Sequence, residues 1–411
     1  MKKTILRTSV AGILAASAGT ATTAQADIFD ELLLGAKPLV NARLRYETVS
    51  QVDRPEDANS VTMRLRAGAE SGAVNNTSIG IQFEWLQELN SDFNSTRNGK
   101  TQFPVVADPE DVEVNLLYIK NTSLPDTTVT LGRQRIVYDD ARFIGDVIWR
   151  QNQQTYDAVS LTNTSIKNLT VNLAYVEQVN RIFGRGAGNG RFDASNIYVN
   201  AAYKTPIGKL TGFGYFLDLE NGLRLSTQTL GVRFIGSQKV GGVKIDYVGS
   251  AATQSDYGDN PVEFTTEYFA AELGAGYNGF IGKAGFELLG SDEGAIGFST
   301  PLSTAHKFQG FADLFLATPD GGVEDYYAKV GYSKKNVGPF SVVKAIFAYH
   351  DFSSSFGDVS YGDELDFYIT AKWQRFLFGV KFGEFYESGD VGVPGNITSR
   401  RRLTFDVNFK F

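Results

Sequence analysis

The chain has 411 residues, a formal net charge of −7 from 39 Lys and Arg against 46 Asp and Glu, and no cysteine. That acidic balance argues against a nucleic-acid binder, which needs a basic face for phosphate, and the absence of thiols excludes disulfides and thiolate metal sites. The content of 30 Phe, 19 Tyr and 43 Gly suits aromatic girdles and tight turns, although a large soluble β-protein shares such bulk numbers.

The N-terminus carries Lys2, Lys3 and Arg7, an apolar run from Val10 to Ala18, and the small-x-small site Ala24-Gln25-Ala26 before Asp27. This pattern is a secretory signal peptide over residues 1–26. The apolar run is far short of the roughly 20 residues of a spanning helix, and no later stretch comes closer, so a helical membrane protein is excluded. Residues 27–39 show no strand pattern and form a short periplasmic lead-in, and residues 40–411 read as one barrel domain.

From there apolar and polar residues alternate in segment after segment. Val40, Ala42, Leu44 and Tyr46 point outward with Asn41, Arg43, Arg45 and Glu47 inward, and Val61, Met63, Leu65 and Ala67 point outward with Thr62, Arg64 and Arg66 inward. Ile79 to Trp85 makes the third strand. Others centre on residues 112–118, 129–134, 157–162, 169–175, 197–203, 211–217, 230–234, 243–251, 269–275, 284–288, 326–332, 343–349, 365–373 and 378–382. The last residues, Arg402 to Phe411, alternate strictly and end on an aromatic, as the closing strand of an outer-membrane barrel does. That strand, ending in Phe411, is also what barrel-assembly machinery reads.

Connections alternate in length. Short ones fall at 71–77, 122–127, 163–167, 205–209, 236–242, 278–280, 333–339 and 374–376, and long ones at 88–110, 135–153, 179–194, 253–263, 291–322, 351–361 and 387–399. The expected fold is all-β: a transmembrane antiparallel barrel of eighteen strands, or sixteen if one pair is miscounted, with long extracellular loops and short periplasmic turns. It belongs in the outer membrane of a Gram-negative bacterium, in contact with lipid and lipopolysaccharide.

Three stretches carry a more specific signal. Gly297 to Tyr327 reads G-F-S-T-P-L-S-T-A-H-K-F-Q-G-F-A-D-L-F-L-A-T-P-D-G-G-V-E-D-Y-Y, residues 94–110 read N-S-T-R-N-G-K-T-Q-F-P-V-V-A-D-P-E, and residues 131–157 run from L-G-R-Q-R-I-V-Y-D-D-A-R-F to Q-T-Y-D. Each resembles the alginate-export family of outer-membrane porins. The resemblance implies a single-chain barrel of eighteen strands with an Arg-lined pore for an anionic polysaccharide, and leaves the cargo and its direction open.

The residues supply their own argument for charge. Arg43, Arg45, Arg64 and Arg66 fall on the inward faces of adjacent strands, and a ring of cations in a water-filled pore favours anions. Arg133, Arg135, Arg142 and Arg150 crowd into the third long loop and its approach, where guanidinium forks can hold carboxylates. Asp139 and Asp140 share that loop, and Glu47, Glu70, Glu84, Asp111 and Glu113 also point inward. The arginines therefore read equally as structural ladders.

Other chemistry is sparse. The only histidines, His306 and His350, lie far apart, and neither has the neighbouring nucleophile or ligand cluster that catalysis or zinc requires. His306, next to Lys307 in the signature stretch, reads as a pore or loop hydrogen-bonding group. Trp149, Phe308 and Phe311 are loop aromatics suited to stacking on a sugar. The Gly-rich run 184–190 lacks the strand-to-helix context of a phosphate loop. Arg400-Arg401-Arg402 reads as a solvated strand end or as a contact to lipopolysaccharide or the pore mouth.

The expectation is a porin for anionic saccharides or other small anions, working by diffusion without a cofactor or metal. Its pore residues are Arg43, Arg45, Arg64, Arg66, Arg133, Arg135, Arg142, Arg150, Asp139, Asp140, His306 and Lys307. The alternatives are an export channel for an anionic polysaccharide such as alginate and a loop-based barrel enzyme or adhesin.

Overall fold

The computed structural model describes residues 30–411, so the signal-peptide reading of residues 1–26 lies outside the described residues. Eighteen antiparallel strands form one closed sheet, each paired with its sequence neighbours, and the first strand also pairs with the last. The first strand, β1 (Asn41–Gln51), lies between β2 (Ala58–Glu70) and β18 (Arg400–Lys410), with a closing register running from Asn41 opposite Lys410 to Gln51 opposite Arg400. The other strands fall where the alternation puts them. Closure removes the edges that would otherwise leave backbone groups unpaired in lipid.

The barrel is inside out relative to a soluble protein. Leu44, at 47% exposure, and Phe83, at 52%, face lipid, while Glu47 is fully buried and Arg45 is 2% exposed on the lumen side. Period-two alternation produces both faces from one strand.

The short turns use residues that tolerate a left-handed backbone. Asn278 (φ 48°) and Gly279 (φ 87°) join Thr265–Tyr277 to Phe280–Leu289, and Gly241 and Gly242 (φ 55° and 87°) join Thr227–Val240 to Val243–Asp256. Two-residue hairpins of this kind match the twist of the strands they connect. Two turns are tighter than the sequence suggested, because these strands and Val323–Val337 run further toward the periplasm.

Before β1, residues 30–34 are helical and Lys37–Pro38 adds a two-residue strand opposite Ala69 and Glu70. The Gly72 amide donates to the Leu32 carbonyl at 2.8 Å, so this lead-in lies against the first short turn.

Three outer connections turn inward and fill much of the lumen. Residues 135–154 and 290–322 bond to each other: Gly145 donates to the Leu302 carbonyl at 2.9 Å and Thr304 to the Ala141 carbonyl at 3.0 Å. Phe143 packs between Phe213 and Tyr268, with ring centroids 5.0 and 5.1 Å away. One buried cluster joins residues 135–154 to the wall around Tyr198, Phe213 and Tyr215, and a second joins residues 290–322 to Phe352 and Phe385. A third holds the connection 89–110 against Val49 and Ala58. Burial of this kind gives each loop a fixed seat inside the barrel.

Candidate functional site

The four wall arginines reach the lumen, as the alternation requires, and three of them, Arg43, Arg64 and Arg66, donate to the tip of the connection 135–154. Arg43 donates to the backbone carbonyls of Ile148, Trp149 and Arg150 at 2.9–3.3 Å. Arg64 and Arg66 both reach the Gln151 carbonyl, at 3.2 and 3.1 Å, and Arg66 also pairs with Glu84. Val147, just upstream, has φ 48°, a strained value for a β-branched residue, and its amide is held by Thr304 Oγ1 at 3.1 Å.

The tip ends in a buried ionic knot. Arg150 contacts both oxygens of Glu47, the nearer at 3.0 Å, and lies 3.3 Å from Asp108. Arg402 reaches Glu47 at 2.6 Å and Asp313 at 3.1 Å. Arg45 lies 3.8 Å from Asp108, with its guanidinium 4.4 Å from the centre of the Trp149 ring. Burial opposes the charge of Arg150, yet Glu47, Asp108 and Asp313 together raise its affinity for the proton above the ordinary arginine value. Burial likewise works against the Asp313 carboxylate, but His306, Arg402 and Arg150 outweigh it and hold the group below the usual carboxylate range.

Further along the connection, Arg142 donates to Glu287 at 2.7 Å and lies 4.7 Å from the centre of the Phe308 ring. Arg133 forks onto Asp157 at 2.7 and 2.8 Å, and Arg135 pairs with Asp146 at 2.6 Å. Asp139 accepts from Asn200 at 2.8 Å and Lys209 at 3.0 Å, while Asp140 pairs with Arg233 at 2.7 Å. The arginines marked by the sequence are thus mostly committed to holding loops in place.

The two inward connections meet where the Trp149 and His306 rings stack, and Lys381 joins them from the wall. Its ammonium lies 2.6 Å from His306 Nε2 and is surrounded by Trp149, Phe311 and Tyr368 at 4.6, 4.5 and 5.0 Å from the ring centres. An ammonium has only protons to give, so Nε2 accepts and the ring proton sits on Nδ1, which faces Asp313 at 2.6 Å. Burial pushes the His306 imidazolium down to about 3, Asp313 opposes that shift and Lys381 adds to it.

Below this junction lies a cavity of about 690 Å³, lined by aromatic and aliphatic side chains and by several charges. Its carboxylates are engaged: Asp140 by Arg233, Glu272 by Lys283 at 2.7 Å, Glu287 by Arg142, Asp325 by His350 at 2.9 Å, and Asp366 by the Phe311 amide at 3.1 Å. Among the described residues, Lys307, Lys329 and Lys381 line the same cavity with no carboxylate within 4.0 Å. Lys307 donates instead to the Asp140 carbonyl at 2.8 Å, and Lys329 lies 4.4 Å from the centre of the Tyr327 ring. Burial lowers the affinity of Lys307 for its proton, and Asp140 opposes the effect.

Sequence reasoning marked Lys307 but missed Lys329, Lys381, Asp108 and Asp313. The two lysines sit at inward positions of strands already recognised, which was the available signal. Asp108 and Asp313 had none, since their partners lie in distant segments. Arg400 and Arg402, read at the strand end as facing solvent or the pore mouth, face the lumen: Arg400 holds the carbonyls of Ala312 and Asp313 at 3.3 and 3.0 Å. Arg401, the residue between them, faces away and is exposed.

A family model described as alginate export matches residues 39–178. No curated protein matches the chain. Among solved structures, OccK1 (OpdK) of Pseudomonas aeruginosa is 12% identical with a TM-score of 0.68, covering 92% of this chain and 99% of that one. OccAB3 of Acinetobacter baumannii is 16% identical with a TM-score of 0.68, covering 92% and 100%, and OccAB2 of the same organism is 15% identical with a TM-score of 0.69, covering 91% and 97%. At such identities the likeness is one of fold. The chain is thus similar to the alginate-export family over residues 39–178 and shares the barrel fold of these outer-membrane structures along its length.

Proposed function

We propose that the protein is a passive channel for small anions, anionic saccharides among them, and that its selecting charges are Lys307, Lys329 and Lys381. The observation that carries this reading is the imbalance of partners in the large cavity. Asp140, Glu272 and Glu287 are paired with cations and Asp325 and Asp366 are held by His350 and a backbone amide, whereas these three ammonium groups are held only by a neutral carbonyl, a neutral imidazole or aromatic faces. Positive charge left uncompensated in a wet pore favours anions, and contacts made by half-solvated lysines stay exchangeable, as transport requires.

Trp149, Phe308 and Phe311 border the same space and suit the flat face of a sugar ring or of an aromatic acid. One of the similar solved structures is OpdK with vanillate, an aromatic carboxylate. The arginines support this function by fixing the loops that shape the cavity.

Single-channel recording of the mature protein under a salt gradient, with uronate oligomers and neutral sugars as blockers, tests the proposal. Anion-selective current blocked by uronates supports it, and a pore that is unselective or prefers cations overturns it.

A further inference from the structure

Asp325, His350, Glu364 and Asp366 form a buried cluster beside the large cavity. They come from three neighbouring strands, Val323–Val337, Phe340–Ser353 and Ser360–Trp373, and each is at most 2% exposed. His350 gives its Nδ1 proton to Asp325, whose two oxygens both lie at 2.9 Å, since a carboxylate can only accept. Its Nε2 makes no hydrogen bond and stands 3.8 Å from Asp366. Glu364 and Asp366 are left with each other: their carboxyl groups lie within hydrogen-bonding reach, and among the described residues neither has a Lys or Arg within 4.0 Å.

Both acids face residues 310–313 of an inward connection. Glu364 accepts from the Ala312 amide at 2.7 Å and Asp366 from the Phe311 amide at 3.1 Å. Gly310, with φ 76°, passes so close to the Glu364 carboxyl that a Cβ there would collide with it. The two amides fix Phe311, whose ring centre stands 4.5 Å from the Lys381 ammonium and 5.3 Å from the His306 ring. Tyr368, the next inward residue of the same strand, lies opposite Lys381 in register and forms another wall around that ammonium. One strand therefore carries one wall of the lysine cage and the two acids that seat another.

Two ionised carboxylates in contact are a poor account of this seat, because they repel and burial leaves them unscreened. The other charges that face them do not cancel the repulsion. Lys329, Lys381 and Arg400, from neighbouring strands, all lie more than 4.0 Å away, while Asp325 on the wall and Asp313 in the connection add negative charge. A single proton removes the conflict, since a protonated carboxyl donates to its partner while each keeps an oxygen for a loop amide. Glu364 Oε2, which has no other partner, is placed to carry it.

We infer that Glu364 and Asp366 share one proton and in that state hold Phe311 against Lys381, which makes them positioning residues for the selectivity of the channel. The consequence for selectivity rests on the reading of Lys381 as a selecting charge, whereas the shared proton does not. An unseated, hydrated pair gives up its proton before the seated one, so the seat weakens as pH rises.

Hydrogen exchange of the amides at 311 and 312, in the mature protein in lipid vesicles, tests the proton. Protection should fall by up to about tenfold per pH unit between about pH 7 and 9. Glu364→Gln supplies a permanent donor to Asp366 and an acceptor for Ala312, so its protection should stay level. Effects of Lys381 or His306 are common to both proteins and drop out of the comparison. Equal pH dependence in the two proteins overturns the shared proton, and so does loss of protection in Glu364→Gln at every pH. Reversal potential in bilayers tests the positioning: Glu364→Ala should lower anion selectivity and Glu364→Gln should restore it, with heat-modifiable migration on gels showing that both barrels are folded. Selectivity unchanged in Glu364→Ala but altered in Lys381→Gln overturns the positioning role. Selectivity unchanged in both overturns the lysine reading instead, and hydrogen exchange still decides the proton.

Discussion

The imidazole of His306 lies face to face on the indole of Trp149, with ring centroids 3.4 Å apart and planes within 5°. The two rings come from different loops, so their contact makes residues 135–154 and 290–322 a single internal body. Trp149→Ala should cost about 3 kcal/mol of stability, as large-to-small changes at packed aromatics do. It should also let the loops fluctuate separately. Chemical denaturation in lipid vesicles and open-channel noise in bilayers check both effects.

Acid should loosen the same body. His306 is held neutral, with its pKa down at about 3 in the fold against about 6.5 in an unfolded chain. The unfolded state therefore takes up a proton first as pH falls. The contribution of His306 is complete above about 6.5 and drains away below it by up to about 1.4 kcal/mol per pH unit until the folded group titrates. Limited proteolysis of residues 290–322 should quicken between pH 6.5 and 4.5, and His306→Asn should flatten that dependence.

Glu47 is the acid shared by Arg150 and Arg402. Glu47→Ala removes the carboxylate they share and leaves Arg150 on Asp108 and Arg402 on Asp313 alone, and should cost about 3 kcal/mol. Replacing the three residues together with apolar groups of similar size should cost more, because Asp108 and Asp313 are then buried without Arg150 and Arg402. Denaturant midpoints of the two variants check this ordering.

Arginines and lysines of the lumen should separate by phenotype. Arg43→Ala removes the donors that hold the carbonyls of residues 148–150, so gating noise should rise while the reversal potential moves little. Lys307→Gln/Lys329→Gln/Lys381→Gln should shift the reversal potential toward cation passage. The same bilayer recordings read both.

The lipid face obeys a different rule from the lumen. Phe405 is 44% exposed on the outside of β18. Phe405→Arg should cost about 2–4 kcal/mol near the bilayer midplane and less toward the rim. Folding titrations into vesicles would show it, and Thr404→Arg, one residue away but lumen-facing, should not behave alike.

Much of the architecture was legible because a strand between lipid and water writes its two faces into alternate residues. Leu44 and Arg45, adjacent in sequence, end up 47% and 2% exposed. The turns at 236–242 and 333–339 were drawn too long for an instructive reason. Ser237, Lys239, Lys334 and Lys335 look like loop residues, yet they belong to strands that stand in the wide periplasmic mouth and bury little. The ionic knot was not legible. Glu47 and Arg402 are 355 positions apart, and Glu47 and Arg150 are 103 apart. Nothing local distinguishes an arginine that lines water from one that clamps a distant loop.

The seam between β1 and β18 bears on how the molecule is made. Its two sides come from opposite ends of the chain, so they cannot zip together until synthesis and delivery are complete, and closing so long a loop is entropically the most costly contact in the barrel. Glu47 stands on one side of that seam and Arg402 on the other, and Arg150 and Asp313 reach them from the two inward loops. The last strand to arrive therefore completes the hydrogen-bonded wall and the internal charge network in one event. Assembly should be all-or-none, and a chain whose loops are still outside when the final strand docks would close with Glu47 on Arg402 but without Arg150 and Asp313 to complete the network.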